Sequence, residues 1–349
     1  MNNKVKRVAV VGAKGYAGLV LSELLLKHPN ADLLAVSSRD LDWSLKDDLN
    51  CEGASRVNSC GLDRLLEFLP DLDAIFLALP AKASMNLVPR LLKSRLKIID
   101  LSGAFRLSPD LYLKWYGHPH TALEALENSS YGLCPWQDCY GRLISNPGCY
   151  ATAALMALIP LLKSSAIDPS SIIIDAKSGA TGAGRSLQSN LLFGELAENF
   201  YPYKISSHQH QPEIESYLEK FSGDRSSIIM TTHLLPIKRG IQLSIYADLL
   251  SDEEHAYQSY IDSYKEYPLV KFSLLRDLKS NAQRRMLSLA SIFSLPYVNI
   301  AIQSQNRKLL LFATIDNLMK GASSQAIENF NRLFSFPYLE GLLKKGEIK

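Results

Sequence analysis

Along the first hundred residues, short apolar runs alternate with stretches of helical spacing. Residues 7–11, 31–37, 74–79 and 97–101 read as strands, and 17–27 and 87–93 read as the helices among them. That βαβ rhythm predicts a parallel sheet covered by helices. From Ser171 the texture changes to longer strand-like runs at 171–177, 227–235 and 242–250, the last with the alternation of an open antiparallel sheet. A late strand at 308–315 leads into 321–334, where Ala326, Ile327, Phe330 and Leu333 fall at helical spacing. The pattern contains no internal repeat and no low-complexity linker. It predicts two closely packed domains, the second being α+β and beginning near Ser145.

Composition narrows this picture. A length of 349 residues suits about two domains. With 47% hydrophobic and 21% charged residues, the composition is that of an ordinary globular chain. The 38 Lys+Arg against 35 Asp+Glu leave +3, without the clustered excess of a nucleic-acid binder, so no nucleic-acid partner is expected, while small anionic ligands are compatible with the charge. The apolar run 151–162 contains Thr152 and Pro160 and falls short of the roughly 20 residues a bilayer span needs. No secretory signal is visible between Met1 and Gly12, and a cytoplasmic protein is expected. Five cysteines, Cys51, Cys60, Cys134, Cys139 and Cys149, do not read as a disulfide framework. Cys134 and Cys139 lack neighbouring His or Cys pairs, so no metal site is expected.

Gly12-Ala13-Lys14-Gly15-Tyr16-Ala17-Gly18 lies between the first strand and the first helical run. This is GxxGxxG in the strand–turn–helix context of a dinucleotide fingerprint: glycines let the backbone approach a pyrophosphate, and the helix start offers its N–H groups. The next strand ends in Ser37-Ser38-Arg39, where an NAD enzyme would carry an acid for the ribose 2′-hydroxyl. NADP is therefore the expected cofactor, the alternative being that Arg39 is a solvated loop charge.

Cys149 follows Ser145-Asn146-Pro147-Gly148 and precedes the apolar helical run. Asn and Pro are helix-start residues, so Cys149 is expected in a first turn, where unpaired N–H groups favour a thiolate and could hold an oxyanion. The other four cysteines are expected to be small buried hydrophobes. A proton partner is offered by His208-Gln209-His210-Gln211-Pro212-Glu213, with Pro212 opening a helix, Glu213 in its first turn, and His208 and His210 pointing the same way if the chain is extended there. Metal binding and plain helix capping are the alternatives for this pair. A second glycine-rich loop, Ser178-Gly179-Ala180-Thr181-Gly182-Ala183-Gly184-Arg185, and Arg106 after the strand 97–101 supply further anion candidates at strand ends.

These segments together resemble the N-acetyl-γ-glutamyl-phosphate reductases, the arginine-pathway members of the aspartate-semialdehyde dehydrogenase-like superfamily. The resemblance runs from Val8 to about Asn331 and is carried by Gly12–Gly18, His28-Pro29, Phe76–Pro80, Asp100–Arg106, Asn146–Tyr150, Ser178–Arg185, His208–Ile214, His233–Gly240 and Asp316–Asn329. Two departures stand out: Ala151 where the family often has proline, and Lys14 where it has a small residue.

The resemblance implies an α/β fold, with a Rossmann-type NADP-binding domain at 1–145 completed by a C-terminal helix at about 317–349. It also implies a catalytic and oligomerisation domain at 146–316 with a largely antiparallel sheet, assembled as a homodimer or homotetramer. The implied activity is reductive dephosphorylation of an acyl phosphate through a thioester on Cys149, with His210 carrying the proton and His208 and Glu213 in support. Pro80, Ser178, Gly179, Gly182 and Asn317 join Gly12–Gly18 and Ser37–Arg39 on the cofactor side. Ser102, Arg106, Asn146 and Arg185, with Ser178, are placed toward substrate. A reductase of carrier-bound aminoadipyl phosphate in lysine synthesis and a catalytically silent NADP-binding sensor are the alternative readings.

Overall fold

Strands with both faces covered need apolar side chains on both, and the first strand of this chain, Lys6–Val11 (β1), meets that need: Val8, Ala9, Val10 and Val11 are all buried. A computed structural model describes residues 5–343 except Cys139 and Asp224. The chain forms two compact units, one made of the chain up to Gly148 together with the chain from Ala322, the other of Cys149–Gly321.

In the first unit, β1 is followed by Tyr16–Lys27 (α1), Ala31–Ser37 (β2), Asn58–Cys60 (β3), Ala74–Leu77 (β4), Ala81–Leu91 (α2), Lys97–Asp100 (β5), Ser129–Tyr131 (β6) and Leu143–Ser145 (β7). The sheet order is β3-β2-β1-β4-β5-β7-β6, and every pairing is parallel. Alternate residues feed two cores. Ala9, Val11, Ile75, Leu77 and Ile98 pack with Met85, Leu87, Val88 and Leu91 of α2, while Val8, Val10, Ala74, Phe76 and Ile99 pack on the opposite face with Leu21 and Leu25 of α1. The strand order reverses between β1 and β4, which makes that crevice the expected ligand position in an open α/β sheet. The helix expected at 87–93 starts earlier, at Ala81, because Pro80 stands at its N-cap.

The second unit opens with Cys149–Lys163 (α3), whose residues Tyr150–Leu162 are buried all round. Then follow Ile173–Ser178 (β8), Tyr201–Pro202 (β9), His210–Ser222 (α4), Ile229–Leu234 (β10), Ile241–Asp248 (β11), Glu253–Tyr264 (α5), Val270–Leu274 (β12), Val298–Gln305 (β13) and Lys308–Ile315 (β14). The sheet order is β12-β13-β14-β11-β8-β10-β9. Four pairings are antiparallel, but β8–β10 and β12–β13 run parallel, so the sheet is mixed where the alternation suggested an open antiparallel one. The mixing follows from crossovers: α4 lies in the connection from β8 to β10, and a stretch of short helical turns connects β12 to β13. Helix α3 packs on this sheet and is pinned to α5 by Tyr264 Oη donating to Met156 O at 2.6 Å and by Tyr260 Oη donating to Ala157 O.

The chain returns to the first unit through a π-helical turn, Met319–Ser323, and a helix, Ser324–Leu333 (α6). The expected C-terminal helix is therefore shorter than 317–349: it stops at Leu333, residues 334–343 are irregular, and 344–349 lie outside the described residues. Ala326, Ile327 and Phe330 join the α1 face of the sheet. The polar side of α6 is buried as well. Asn329 Nδ2 donates to Gly132 O at 3.0 Å, Gln325 Nε2 donates to the same carbonyl at 3.0 Å, and Asn331 Nδ2 donates to Tyr338 O and Glu340 O at 3.2 and 2.9 Å.

At its far end His28 donates from Nε2 to Asn331 Oδ1 at 2.9 Å while its Nδ1 accepts the Asn30 N–H at 3.1 Å; burial lowers the pKa of this ring. Asn331→Ala removes three hydrogen bonds and leaves a buried imidazole donor without its acceptor. Urea unfolding should show a loss of about 1–3 kcal/mol, and a change below about 0.5 kcal/mol would contradict the role given to this residue.

Candidate active site

In the first unit the sequence-expected residues gather along the carboxyl edge of the parallel sheet. Gly12 N–H and Ala13 N–H donate to Ser37 O at 2.9 and 3.0 Å, so the glycine loop is stitched to the end of β2. Gly12 has φ of +83°, and a Cβ there would overlap Ala78 O. Gly15 is the N-cap of α1 and gives no side-chain cap, leaving Tyr16, Ala17 and Gly18 to form an open first turn. A Cβ on Gly18 would overlap Gly12 O, so loop and helix touch only because it is absent. This cradle fits a pyrophosphate. Pro80, after β4, lies on the neighbouring loop, and Ser38 and Arg39 follow β2, with Arg39 exposed. Lys14 reaches across to form an ion pair with Asp40.

Ser102, Arg106 and Asn146 turn inward. Asp100 is fully buried; its Oδ1 accepts from Ser84 Oγ at 2.7 Å, and its Oδ2 accepts from Ser102 Oγ at 2.7 Å. Burial pushes this carboxyl up, against the pull of the two serines and of Arg106. Arg106 donates from Nε to Asn146 O at 2.9 Å and from Nη2 to Leu101 O at 2.7 Å. Asn146 donates from Nδ2 to Ala322 O at 3.1 Å and accepts at Oδ1 from Asn329 Nδ2 at 2.9 Å. These three side chains brace the loops after β5 and β7.

In the second unit Cys149 is the first residue of α3. Tyr150, next to it, is met edge-on by His208 and His210, with ring centroids 5.2 and 5.7 Å away, and the two imidazoles are 4.9 Å apart. The chain between them is turned, not extended: Gln209 has φ −60° and ψ −19°, and α4 begins at His210. The turn forms because His208 Nδ1 accepts the His210 N–H at 3.2 Å, a partner for one helix-start amide. Pro212 accordingly lies within the first turn, where a missing N–H does no harm.

Glu213 is buried, and its Oε2 is 4.0 Å from His210 Nε2, placed to stabilise an imidazolium. Burial, with the charges of His210 and Lys204, takes His208 down to about 2, so it is neutral at every physiological pH. His210 is the histidine left with a carboxylate beside it. Tyr150 and Tyr203 share a hydrogen bond between their hydroxyls at 3.0 Å. Burial raises both phenols, Tyr203 to about 12, and Cys149 adds to both shifts, which puts both hydroxyls near the thiol.

Ser178, at the end of β8, donates its hydroxyl to Gly179 O at 3.0 Å and is hydrogen-bonded to Tyr150. A Cβ on Gly179 would sit 2.8 Å from Arg239 N, and Gly182 and Arg185 are exposed. Asn317 locks this loop: its Oδ1 accepts the Gly240 N–H at 2.7 Å and its Nδ2 donates to Thr181 Oγ1 at 3.0 Å. Sequence reasoning missed Gly321, in the π-helical turn. A Cβ there would sit 2.7 Å from the Cβ of Cys149 and 3.2 Å from its Cα, so the turn lies directly against the thiol-bearing residue. The turn is held by buried Lys320, whose Nζ is bonded to Tyr267 Oη, and by Gly321 N–H donating to Asp316 O at 3.0 Å.

Among the other cysteines Cys134 is buried, but Cys51 and Cys60 are half-buried at the rims of the two cores, a correction to the buried reading, and burial raises both thiols. Cys139 lies outside the described residues. Among the described residues no group of three His, Cys, Asp or Glu side chains is arranged to hold a metal, and no helix is long and apolar enough to cross a membrane.

Residues 7–138 match the family described as semialdehyde dehydrogenase, NAD binding domain, and 149–317 the semialdehyde dehydrogenase, dimerisation domain. N-acetyl-γ-glutamyl-phosphate reductases from Campylobacter jejuni and Brevibacillus brevis are each 38% identical to this chain, with 96% of it and 97% of each relative covered. The chain belongs to the N-acetyl-γ-glutamyl-phosphate reductase family. As a member of that family it is an oxidoreductase that uses a nicotinamide cofactor. The reductase of Desulforudis audaxviator is 35% identical over 97% of the chain and 99% of the relative. The same fold appears in aspartate semialdehyde dehydrogenase II of Vibrio cholerae, with a TM-score of 0.68 at 15% identity covering 95% of this chain and 99% of that one. It appears again in the Candida albicans aspartate semialdehyde dehydrogenase with NADP, with a TM-score of 0.63 at 15% identity covering 95% and 98%.

The neutrality of His208 has a thermodynamic consequence. Its pKa is about 2 when folded against 6.5 for the free side chain, so between these values the unfolded chain binds a proton the folded one refuses. This contribution is intact above pH 6.5 and is lost as pH falls below it, at up to about 1.4 kcal/mol per unit. Between pH 7.5 and 5.0 the wild type should lose roughly 2 kcal/mol more than His208→Gln, which keeps an acceptor for the His210 N–H but does not titrate. Equal losses in urea titrations of the two proteins would refute the buried neutral ring.

Proposed function

We propose that this oxidoreductase converts N-acetyl-γ-glutamyl phosphate to N-acetylglutamate semialdehyde with NADPH, in arginine biosynthesis in the cytoplasm, through a thioester on Cys149. The observation that carries this reading is the helix-start thiol whose neighbour, Tyr150, is in ring contact with both His208 and His210. In functional terms we assign 1–145 with 317–349 to the cofactor, and 146–316 to catalysis and to assembly as a homodimer or homotetramer. The names of the relatives support the substrate.

The Cys149 proton passes to His210, and the thiolate is favoured by the amides of the α3 start. Sγ attacks the acyl carbon, and the bond from that carbon to the phosphate oxygen breaks. The departing phosphate takes the proton from the His210 imidazolium, which Glu213 stabilises until then. When bound, the reduced nicotinamide supplies a hydride to the thioester carbon. The resulting alkoxide re-forms a carbonyl as the C–S bond breaks, releasing aldehyde and thiolate, and one proton from water resets the pair. The glycine loop Gly12–Gly18, with Lys14, Ser37, Ser38, Arg39 and Pro80, holds the cofactor. Ser178, Gly179, Gly182 and Asn317 shape its reactive end, and Arg185 meets a substrate anion. Ser102, Arg106 and Asn146 serve the substrate by bracing the loops that face it.

Mixing the enzyme with acyl phosphate in the absence of NADPH should give a thioester adduct that mass spectrometry maps to Cys149. Cys149→Ser should bind NADPH normally and form no adduct, because an alcohol without a dedicated base is a far weaker nucleophile. Near wild-type turnover in that variant, or an adduct elsewhere, would end the thioester reading.

The histidines separate by kinetics. His210→Asn should lower kcat by about 10²–10⁴-fold and abolish the acid limb of its pH profile, whereas His208→Asn should keep that limb. The reverse pattern would exchange their roles.

A further inference from the structure

An acid at the end of the second strand is how an NAD-type fold engages a ribose 2′-hydroxyl, and it repels a 2′-phosphate. This chain has such an acid one residue later than the sequence pattern suggested: Asp40 follows Ser37-Ser38-Arg39. Its backbone N–H donates to Ser38 Oγ at 3.2 Å, and its Oδ1 accepts the Asp42 N–H at 3.3 Å, so the carboxylate is fixed beside the serine expected to meet the phosphate. Directly across from it is Lys14, the residue of the glycine loop that stands where the family has a small side chain. Its Nζ is paired with Asp40 Oδ2, and the two bonds from Gly12 and Ala13 to Ser37 O hold the two loops at that separation.

We infer that Lys14 is a cofactor-specificity residue that cancels the charge of Asp40 and presents an ammonium to the adenosine 2′-phosphate. This rests on the NADPH reading above. The ammonium is a compact positive charge with three donors, so it attracts an incoming phosphate by its charge while it faces Asp40. Both side chains are partly exposed, 36% and 46%, so a ligand reaches them, and an ion pair of that exposure adds little to stability. Its substitution therefore tests recognition and not folding. An aspartate is ionised at neutral pH with or without Lys14, whose hydrogen bond only lowers its pKa further, so an uncovered Asp40 is a full negative charge at the phosphate position.

The test is calorimetric binding of NADP⁺, NAD⁺, adenosine 2′,5′-bisphosphate and 5′-AMP to the full chain, with no turnover involved. Lys14→Met should weaken NADP⁺ and the bisphosphate by about tenfold or more, the scale of a charge-assisted contact, and leave NAD⁺ and 5′-AMP unchanged or tighter. Adding Asp40→Asn to Lys14→Met should recover most of the lost NADP⁺ affinity, because the uncovered charge is then gone. The inference is overturned if Lys14→Met affects the four ligands equally or not at all, or if the double variant binds NADP⁺ no better than the single one. Failure of the NADPH reading looks different: the wild type itself would then bind NAD⁺ at least as tightly as NADP⁺.

Discussion

The first N–H groups of any helix have no partner inside it, and this chain builds each of its candidate sites on that constraint. Helix α1 starts behind Gly15 with no side chain to cap it, which leaves a first turn open to a pyrophosphate. Helix α3 starts on the thiol itself. Helix α4 is the instructive exception, because there a histidine ring accepts one of the amides, and that bond turns the chain and brings two imidazoles together. The three helix starts thus differ in what meets them: a glycine loop at α1, the thiol-bearing residue itself at α3, and an imidazole at α4.

What the sequence made legible was local. Glycines next to a strand and a helix, or Asn-Pro-Gly before Cys149, describe geometry within a few residues, and Ala31–Ser37 and Lys308–Ile315 have the same limits in pattern and structure. Strands β12 and β13 went unread because their pairing with each other and with β14 is set by tertiary context. The inward turn of Asn146 was equally hidden: its partners, Ala322 O and Asn329, lie 176 and 183 residues away. Asp40 was in plain view but carried no meaning until Lys14 was found against it.

Buried polarity does a different job in each unit. Around α6 amide side chains bonded to one another and to carbonyls predominate, with Glu328 buried among them, so a helix rich in Ser, Gln and Asn is tolerated with no exposed face. Around Cys149 it consists of titratable groups whose burial spreads their ionisation apart: His208 is driven low and the two phenols are driven high. Such a set cannot exchange protons among its members near neutrality.

The contact between Gly321 and Cys149 bears on how this site can change over time. A hydrogen is all that fits against the Cβ of Cys149, so position 321 is closed to drift although it carries no reactive group. Any replacement moves either the π-helical turn, which buried Lys320 anchors, or the first residue of α3. The residue with no side chain thus fixes the place of the thiol as strictly as any with one, and a lineage that lost this glycine would need to rebuild the turn before its thiol could return to the same place.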